Sequence, residues 1–244
     1  MGLFNFFNKT KQPAELSRLG LDIHSHLLPG IDDGAQTLDH SIAMINKFVD
    51  FGYTQLITTP HIMADAYPNT ASSINEALGI VQEELNRLQI PMEISAAAEY
   101  YSDEFFLNLI DSEPLLTFMG NHVLFEFSFH QAPMHSSELI FKLQGKNYKP
   151  VLAHYERYNF YNSTREAKEF KEKGVLIQMN INSLTGHYGP KAQKIAEQLI
   201  DEQLVDIVGT DCHRIEHLSL MESHISRPYF HKMLDLDLLN YKGK

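Results

Sequence analysis

Apolar residues occur along the chain in two alternating patterns: short continuous runs and longer segments with a helical period. The short runs are five to seven residues long and rich in aliphatic or β-branched side chains, which is typical of strands buried on both faces. Seven such runs predict strands at 19–23, 54–59, 92–98, 122–127, 149–153, 175–180 and 205–209.

The segments between these runs carry apolar residues three or four positions apart, which predicts amphipathic helices. Helices are expected at 37–51, 74–88, 103–110, 136–143, 164–173, from 190 onward, and early in the tail 218–244. Ser73 with Glu76, and Ser163 with Glu166, have the spacing of a capping box, and Pro190 suits the first helical position. Strand–helix alternation predicts an α/β fold with a parallel sheet, but periodicity leaves open whether the sheet is open or closed into a barrel.

Ligand-type side chains stand at the end of nearly every predicted strand. In chain order they are His24 and His26, His61, Glu99, Glu126, His154, and the pair Asp211 and His213. The sixth strand offers Asn180 and Asn182 instead. The carboxyl ends of barrel strands converge on one face, whereas an open sheet spreads its outer strands apart. The pattern therefore favours a closed barrel with one shared site.

Each of these residues alone has a simpler explanation, such as a hydrogen-bonded histidine or a paired buried carboxylate. Together they indicate metal, because clustered imidazoles and carboxylates compensate one another best around cations. Imidazole with carboxylate and no thiolate suits zinc, manganese or iron. Asp33, in the loop after the first strand, brings the candidates to nine, although spacing alone does not choose it over the adjacent Asp32. Nine ligands are more than one ion requires, so two or three ions are expected.

Composition limits the partners and the compartment. The 244-residue chain has a formal net charge of −11, which argues against nucleic acid as the main partner. It contains one cysteine, which excludes an internal disulfide and suggests the cytoplasm, and its sequence contains no apolar run long enough for a transmembrane segment. Residues 1–18, with Phe4, Phe6 and Phe7, are expected to form an N-terminal arm on a single domain, 19–244. The alternative for the arm is a contact with a membrane or with a membrane-bound partner.

Five separate motifs resemble those of one protein superfamily. "DIHSHLLPGIDDGAQT", "TTPHI", "AEYY", "LAHYERY" and "GTDCH" occur in the order and spacing of the PHP (polymerase and histidinol phosphatase) superfamily. Within it they look like the capsule-type bacterial protein-tyrosine phosphatases, which depend on manganese. The resemblance covers about residues 19–213 and implies a distorted (β/α)7 TIM-like barrel.

The resemblance also implies a role for each candidate. It assigns three metal sites, the first two joined by a bridging Glu99: His24, His26 and Asp211 with Glu99; Glu99 with Glu126 and His154; and Asp33, His61 and His213. It implies that Arg157 is a catalytic residue that binds phosphate. Family members often carry an Arg-Pro-Pro-like segment after the last motif. Here Arg214 is the candidate for the second arginine that binds the phosphate, and Arg227-Pro228 lies farther on.

The implied activity is hydrolysis of a phosphomonoester, with a metal-activated hydroxide attacking phosphorus while Arg157 clamps the phosphate. The implied substrate is phosphotyrosine of a membrane-associated tyrosine kinase of polysaccharide export. His217 is a candidate proton donor to the leaving group, but a supporting or surface role is the preferred interpretation. Cys212 is not expected to be a nucleophile, because Leu218 stands where a Cys-x5-Arg motif needs arginine.

Three alternatives remain at this stage. Another PHP phosphoesterase, such as a histidinol-phosphate phosphatase, would have the same metal site and a different pocket. An amidohydrolase usually employs a lysine after a strand, and none stands at a ligand position here. A non-catalytic, metal-stabilised regulatory module would have no need of all nine ligands and Arg157.

Overall fold

All seven predicted strands are present, and the second and third are each interrupted. The computed structural model describes residues 12–243. Its strands are β1 Leu21–Asp22, β2 Gln55–Thr58, β3 His61–Ile62, β4 Glu93–Ala96, β5 Glu99–Tyr101, β6 His122–Glu126, β7 Lys149–Leu152, β8 Leu176–Asn180 and β9 Ile207–Gly209. Pro60, which has no N–H to donate, lies in the gap between β2 and β3.

The strands are parallel and form two hydrogen-bonded groups, β1-β2-β4 and β3-β5-β6-β7-β8-β9. The chain passes from the first group to the second through the two interruptions, so both groups belong to one curved wall. The wall closes where the residues after β1 meet those after β9: Ser25 forms a parallel bridge with Cys212. The amide of Asp211 donates to the His24 carbonyl at 2.7 Å. The predicted distorted (β/α)7 barrel is confirmed.

Helices surround this wall. They are α1 Leu38–Asp50, α2 Ala71–Leu88, α3 Glu104–Ser112, α4 Ser136–Gly145, α5 Arg165–Glu172, α6 Pro190–Asp201, α7 Ile215–His224 and α8 Pro228–Leu234. Pro190 is the first residue of α6, as predicted. Short 3-10 helices cover Leu16–Arg18, Tyr155–Arg157, Ile181–Thr185 and Leu239–Gly243.

Both predicted capping boxes are wrong. At α2, the box is formed one turn earlier, between Thr70 and Ser73, so Glu76 has no part in it. At α5, Thr164 is the N-cap residue and makes no side-chain cap hydrogen bond. Ser163 instead places its hydroxyl 3.4 Å from the Glu166 carboxylate.

A small apolar cluster forms inside the barrel below the site. It includes Leu124, Ala97 and Ile207, which are buried. Side chains two residues apart on a strand point to the same face. The residue two positions beyond Leu124 is Glu126, and the residue two positions beyond Ala97 is Glu99. On these strands, an inward-facing apolar side chain is thus followed two residues later by an inward-facing glutamate of the site.

The N-terminal segment before the barrel is partly described. Leu16 and Ala14 are buried in the main core, and the Ala14 amide donates to the carbonyl of Ile225 at 3.1 Å. Residues 1–11, which contain the phenylalanines of the expected arm, lie outside the described residues. None of the described helices is long and apolar enough to cross a membrane.

Candidate metal centre

The structure brings the side chains of all nine candidate ligands to the rim at the carboxyl ends of the strands. Their nitrogen and oxygen atoms form four overlapping groups, each with ligand atoms within 4.8 Å of one another. The groups are His26, Asp33, His61 and His213; His24, His154 and Asp211; His24, His26 and Glu99; and His61, Glu99 and Glu126. The described residues therefore form histidine–carboxylate clusters able to bind metal.

The first cluster lies at the seam where the barrel closes. His24 Nε2 lies 3.3 Å from Glu99 Oε2 and 3.4 Å from Asp211 Oδ1. His26 Nε2 lies 3.5 Å and 3.4 Å from the same two oxygens. Two imidazole nitrogens and two carboxylate oxygens thus face a common point.

Glu99 joins this cluster to its neighbour through its other oxygen. Glu99 Oε1 lies 2.9 Å from His154 Nε2, which is also 3.5 Å from Glu126 Oε2. Glu99 thus has one oxygen in each cluster, the arrangement that a bridging carboxylate requires. His61 Nδ1 approaches this cluster too, at 3.3 Å from Glu126 Oε1.

The third cluster is the most exposed. Asp33 Oδ1 lies 3.5 Å from His61 Nε2 and 3.5 Å from His213 Nε2. The Asp33 side chain is 53% exposed, whereas those of His61 and His213 are 12% and 18% exposed. This cluster faces solvent, where an incoming substrate would meet it.

Several buried atoms of these clusters have no hydrogen-bond partner among the described residues. They are His24 Nε2, His26 Nε2, His61 Nδ1 and Glu99 Oε2. A buried polar atom without a partner costs free energy of about 1–3 kcal/mol. The four atoms lie at the shared centres of the clusters, so cations bound there would satisfy them together. The donor set therefore fits divalent metal.

The electrostatics of the site favour positive charge at its centre. Burial lowers the pKa of His24, but Glu99 and Asp211 outweigh it and raise that pKa to about 9. Burial raises the pKa of Asp211, but His24 and His213 outweigh it and hold the pKa well below its usual range. Hydrogen bonding to His213 lowers the pKa of Asp33 to about 2. A bound cation would take the place of the imidazole protons near the carboxylates and leave the imidazole nitrogens unprotonated as ligands.

Two adjacent aspartates in the first loop have different positions. The buried Asp32 places Oδ2 2.8 Å from His26 Nδ1 and accepts the Gly34 amide on its other oxygen at 2.9 Å. Asp33 faces His61 and His213 instead. Asp32 therefore fixes the orientation of the His26 ring, a support that ligand histidines commonly have.

Residues of the sixth predicted strand, β8, form hydrogen bonds with the candidate ligands. Gln178 Oε1 lies 3.1 Å from His24 Nδ1 and accepts the His154 amide at 2.7 Å. Asn180 Nδ2 donates to Asp211 Oδ2 at 2.7 Å. The sequence pattern missed Gln178, because an inward glutamine in a strand has no motif of its own. Asn182 does not face the clusters, since its amide donates to the His217 carbonyl.

Two of the candidate ligands have unusual backbone conformations. His154 has φ of 33° and Asp211 has φ of 50°, the left-handed region that residues other than glycine seldom adopt. Such conformations persist where the surrounding structure fixes them, and they concentrate at functional sites.

The predicted phosphate-binding arginines line a cavity of about 620 Å³ beside the clusters. Its wall includes Asp33, Arg157, Tyr188, Asp211, His213 and Arg214. Arg157 Nη1 donates to Asp211 Oδ2 at 2.6 Å, and the exposed Arg214 donates from Nε to His217 Nε2 at 3.2 Å.

His217 and Cys212 lack the properties of reacting groups. Burial lowers the pKa of His217 to about 4, and its Nε2 already accepts from Arg214. Burial raises the pKa of the Cys212 thiol well above its ordinary value. Its Sγ lies 3.5 Å from Met44 Sδ, inside the core. The prediction that Cys212 is a packed side chain agrees with this position.

Residues 20–227 match the sequence profile of the family described as "Capsular polysaccharide synthesis, CpsB/CapC". The chain belongs to this family. Its CpsB/CapC relatives include tyrosine-protein phosphatase YwqE of Bacillus subtilis (strain 168), 30% identical over 204 residues, which are 80% of this chain and 78% of YwqE. Putative tyrosine-protein phosphatase CapC of Staphylococcus aureus is 24% identical over 203 residues, 82% of this chain and 80% of CapC.

Solved structures agree with the CpsB/CapC assignment. A structure from a study of YwqE of Bacillus subtilis and CpsB of Streptococcus pneumoniae, described as unique metal-dependent tyrosine phosphatases, superposes with a TM-score of 0.75 at 27% identity. The match covers 92% of this chain and 95% of that one. Histidinol phosphate phosphatase of Lactococcus lactis, at 15% identity and a TM-score of 0.53 over 89% of this chain and 94% of that one, shares the fold.

Proposed function

We propose that this CpsB/CapC chain is a metal-dependent protein-tyrosine phosphatase. The observation that carries the proposal is the arrangement of nine histidine and carboxylate side chains in three adjoining clusters, with Arg157 at their edge. The relatives with this family profile are named tyrosine-protein phosphatases, which supports the same reaction.

We assign the ligands to three sets, the first two of which share Glu99. They are His24, His26, Glu99 and Asp211; Glu99, Glu126 and His154; and Asp33, His61 and His213. Three sets fit two or three divalent ions, with manganese first and iron or zinc as alternatives, since the donors are imidazole and carboxylate without thiolate. Divalent ions there would supply Lewis-acid charge to phosphate oxygens and lower the pKa of water.

Arg157 carries the protein's own part in catalysis. Asp211 accepts from its Nη1, and the rest of the guanidinium edge is left for the nonbridging phosphate oxygens, where it offsets charge in the transition state. Arg214 stands on the same cavity wall as the second phosphate contact. The phenol leaving group has a pKa of about 10, so it departs without strong help from a general acid such as His217.

The substrate and compartment follow from the same proposal. A cavity of about 620 Å³ accommodates a phosphotyrosine side chain with its neighbours. We propose as substrate the phosphotyrosine of a membrane-associated tyrosine kinase of polysaccharide export. The chain would act on it from the cytoplasm, where its single cysteine stays reduced.

The test measures metal content and turnover on one preparation. Elemental analysis of the purified protein is paired with hydrolysis of a phosphotyrosine peptide, a phosphoserine peptide and histidinol phosphate, each with and without chelator. We expect bound divalent metal, chelator-sensitive turnover and preference for the phosphotyrosine peptide. Preference for histidinol phosphate would indicate the other PHP phosphatase. Inactivity on every phosphoester with manganese restored would indicate a non-catalytic module.

A further inference from the structure

Two aromatic rings lie against the guanidinium of Arg157. The Arg157 Cζ is 4.5 Å from the ring centre of Phe129 and 4.2 Å from that of Tyr188. Phe129 follows β6, and Tyr188 lies between the 3-10 helix Ile181–Thr185 and α6. The rings therefore come from two separate loops that meet over one side chain.

This contact limits how Arg157 can act. Two rings from separate loops, both within 4.5 Å of Cζ, restrict access to the guanidinium faces and leave mainly its N–H edge accessible. Asp211 already accepts from one end of that edge, at 2.6 Å from Nη1. The arginine side chain is only 23% exposed. The plane and the direction of the remaining N–H groups are thereby fixed before any ligand arrives.

We infer that Tyr188 and Phe129 are positioning residues that hold Arg157 in the plane needed for bidentate contact with a phosphoryl group. The inference rests on the proposed phosphatase function and adds two residues that no sequence motif indicated. An arginine that is already oriented loses less side-chain entropy on binding. Cation–π attraction from these two half-buried rings supplies the restraint.

Tyr188 is the better of the two to test, because Tyr188→Phe removes its hydroxyl, which contacts Asn180, separately from its ring. Phe129 also contacts the ring of His154, at 5.2 Å between centres, so its replacement would disturb a proposed ligand as well. Tyr188→Leu removes the ring, and Tyr188→Phe keeps it. Phe141→Leu is the matched control, because Phe141 is 78% exposed on α4.

The experiment is a double-mutant cycle on the manganese-loaded full chain with a phosphotyrosine peptide. We expect Tyr188→Leu to lower kcat about tenfold, a loss that a cation–π contact can account for, with bound metal unchanged. Tyr188→Phe should restore most of kcat, and Phe141→Leu should match the unaltered chain. In an Arg157→Lys background, Tyr188→Leu should cause almost no further loss, because lysine has no guanidinium plane for the ring to orient.

Three results would overturn the positioning role: no loss in Tyr188→Leu, the same fold-loss in the Arg157→Lys background, or reduced metal content that explains the loss. If the unaltered chain does not hydrolyse the peptide, the proposed function fails separately. Calorimetric binding of inorganic phosphate to the manganese-loaded proteins then decides the inference. Weaker binding in Tyr188→Leu that disappears in the Arg157→Lys background supports it. Equal binding by the Tyr188→Leu and unaltered chains, or no binding by either, contradicts it.

Discussion

At the scale of single residues, the neighbouring Asp32 and Asp33 separate metal binding from support of the fold. Asp33→Asn removes a half-exposed carboxylate that faces His61 and His213, so we expect it to lose one equivalent of bound metal and most activity. Asp32→Asn removes the buried partner of His26 Nδ1. Unlike Asp33→Asn, it should therefore lower the unfolding free energy of the metal-free protein by about 1–3 kcal/mol. Elemental analysis and urea unfolding of both variants, with and without metal, distinguish the two roles. Equal loss of stability in the two variants would contradict the assignment.

Cys212 gives a second prediction at this scale. Because its thiol is buried against Met44 and its pKa is raised, it does not supply a thiolate nucleophile. We expect Cys212→Ser to keep most of its metal-dependent activity, with a modest fall in melting temperature from the buried hydroxyl. Loss of turnover in a folded variant with normal metal content would show that the sulfur has a chemical role.

The stability of the protein should depend on pH through His122, which lies at the start of β6, far from the metal clusters. Burial lowers the pKa of its imidazole. The unfolded chain then takes up the proton first, so this residue's contribution to stability is complete above about pH 6.5 and is lost as the pH falls towards the lowered pKa. We expect the stability difference between the unaltered chain and His122→Gln to shrink from about pH 7.5 to 5.5. A difference in unfolding free energy that stays constant over this range would be evidence against it.

Sequence reasoning reached the ligands and missed the residues that orient them. His24, Glu99 and Asp211 stand at predictable points because strand ends converge in a barrel. Gln178 and Tyr188 act through their neighbours, and neither strand periodicity nor a loop sequence indicates which side chain they meet. The choice of Asp33 over Asp32 came from the family resemblance, because spacing alone does not decide it.

At the scale of elements, the close approach of β9 to the residues after β1 depends on a glycine. A Cβ on Gly209 would lie 2.5 Å from His24 Cβ and 3.0 Å from Gln178 Nε2. Gly209→Ala should therefore displace His24 and lower metal affinity about 10–100-fold, the usual cost of disturbing a ligand's support. Gly79→Ala is the matched control in α2, where a Cβ meets nothing within 4 Å, and it should stabilise the protein by about 0.5–1 kcal/mol. Metal titration and thermal unfolding test both, and unchanged metal affinity in Gly209→Ala would contradict the steric argument.

Strand and helix positions were predictable to within a few residues, because buried strands and amphipathic helices leave distinct hydrophobic periods. The details at their ends were not. The capping box of α2 formed at Thr70 and Ser73, since the helix begins at Ala71, earlier than its apolar stripe. The interruptions between β2 and β3 and between β4 and β5 also have no counterpart in the hydrophobic pattern, although Pro60 lies in the first gap.

At the scale of the whole molecule, the clusters join side chains from both ends of the barrel wall. Bound cations would therefore hold together strands that are far apart in sequence, and they would coordinate the buried ligand atoms that have no hydrogen-bond partner. We expect a chelator to abolish turnover and lower the melting temperature, and excess manganese to reverse both. Glu99→Gln, which weakens the bridging ligand, should show a much smaller shift. An unchanged melting temperature after the chelator has removed all bound metal would exclude this structural role.

The pairing of Ser25 with Cys212 has a consequence for biosynthesis. His24 leaves the ribosome early, whereas Asp211 and His213 are translated almost 190 residues later. Until then a nascent chain can present imidazoles to cellular ions without being able to complete a catalytic centre. Premature termination before residue 211 should therefore yield fragments that compete for metal and hydrolyse nothing.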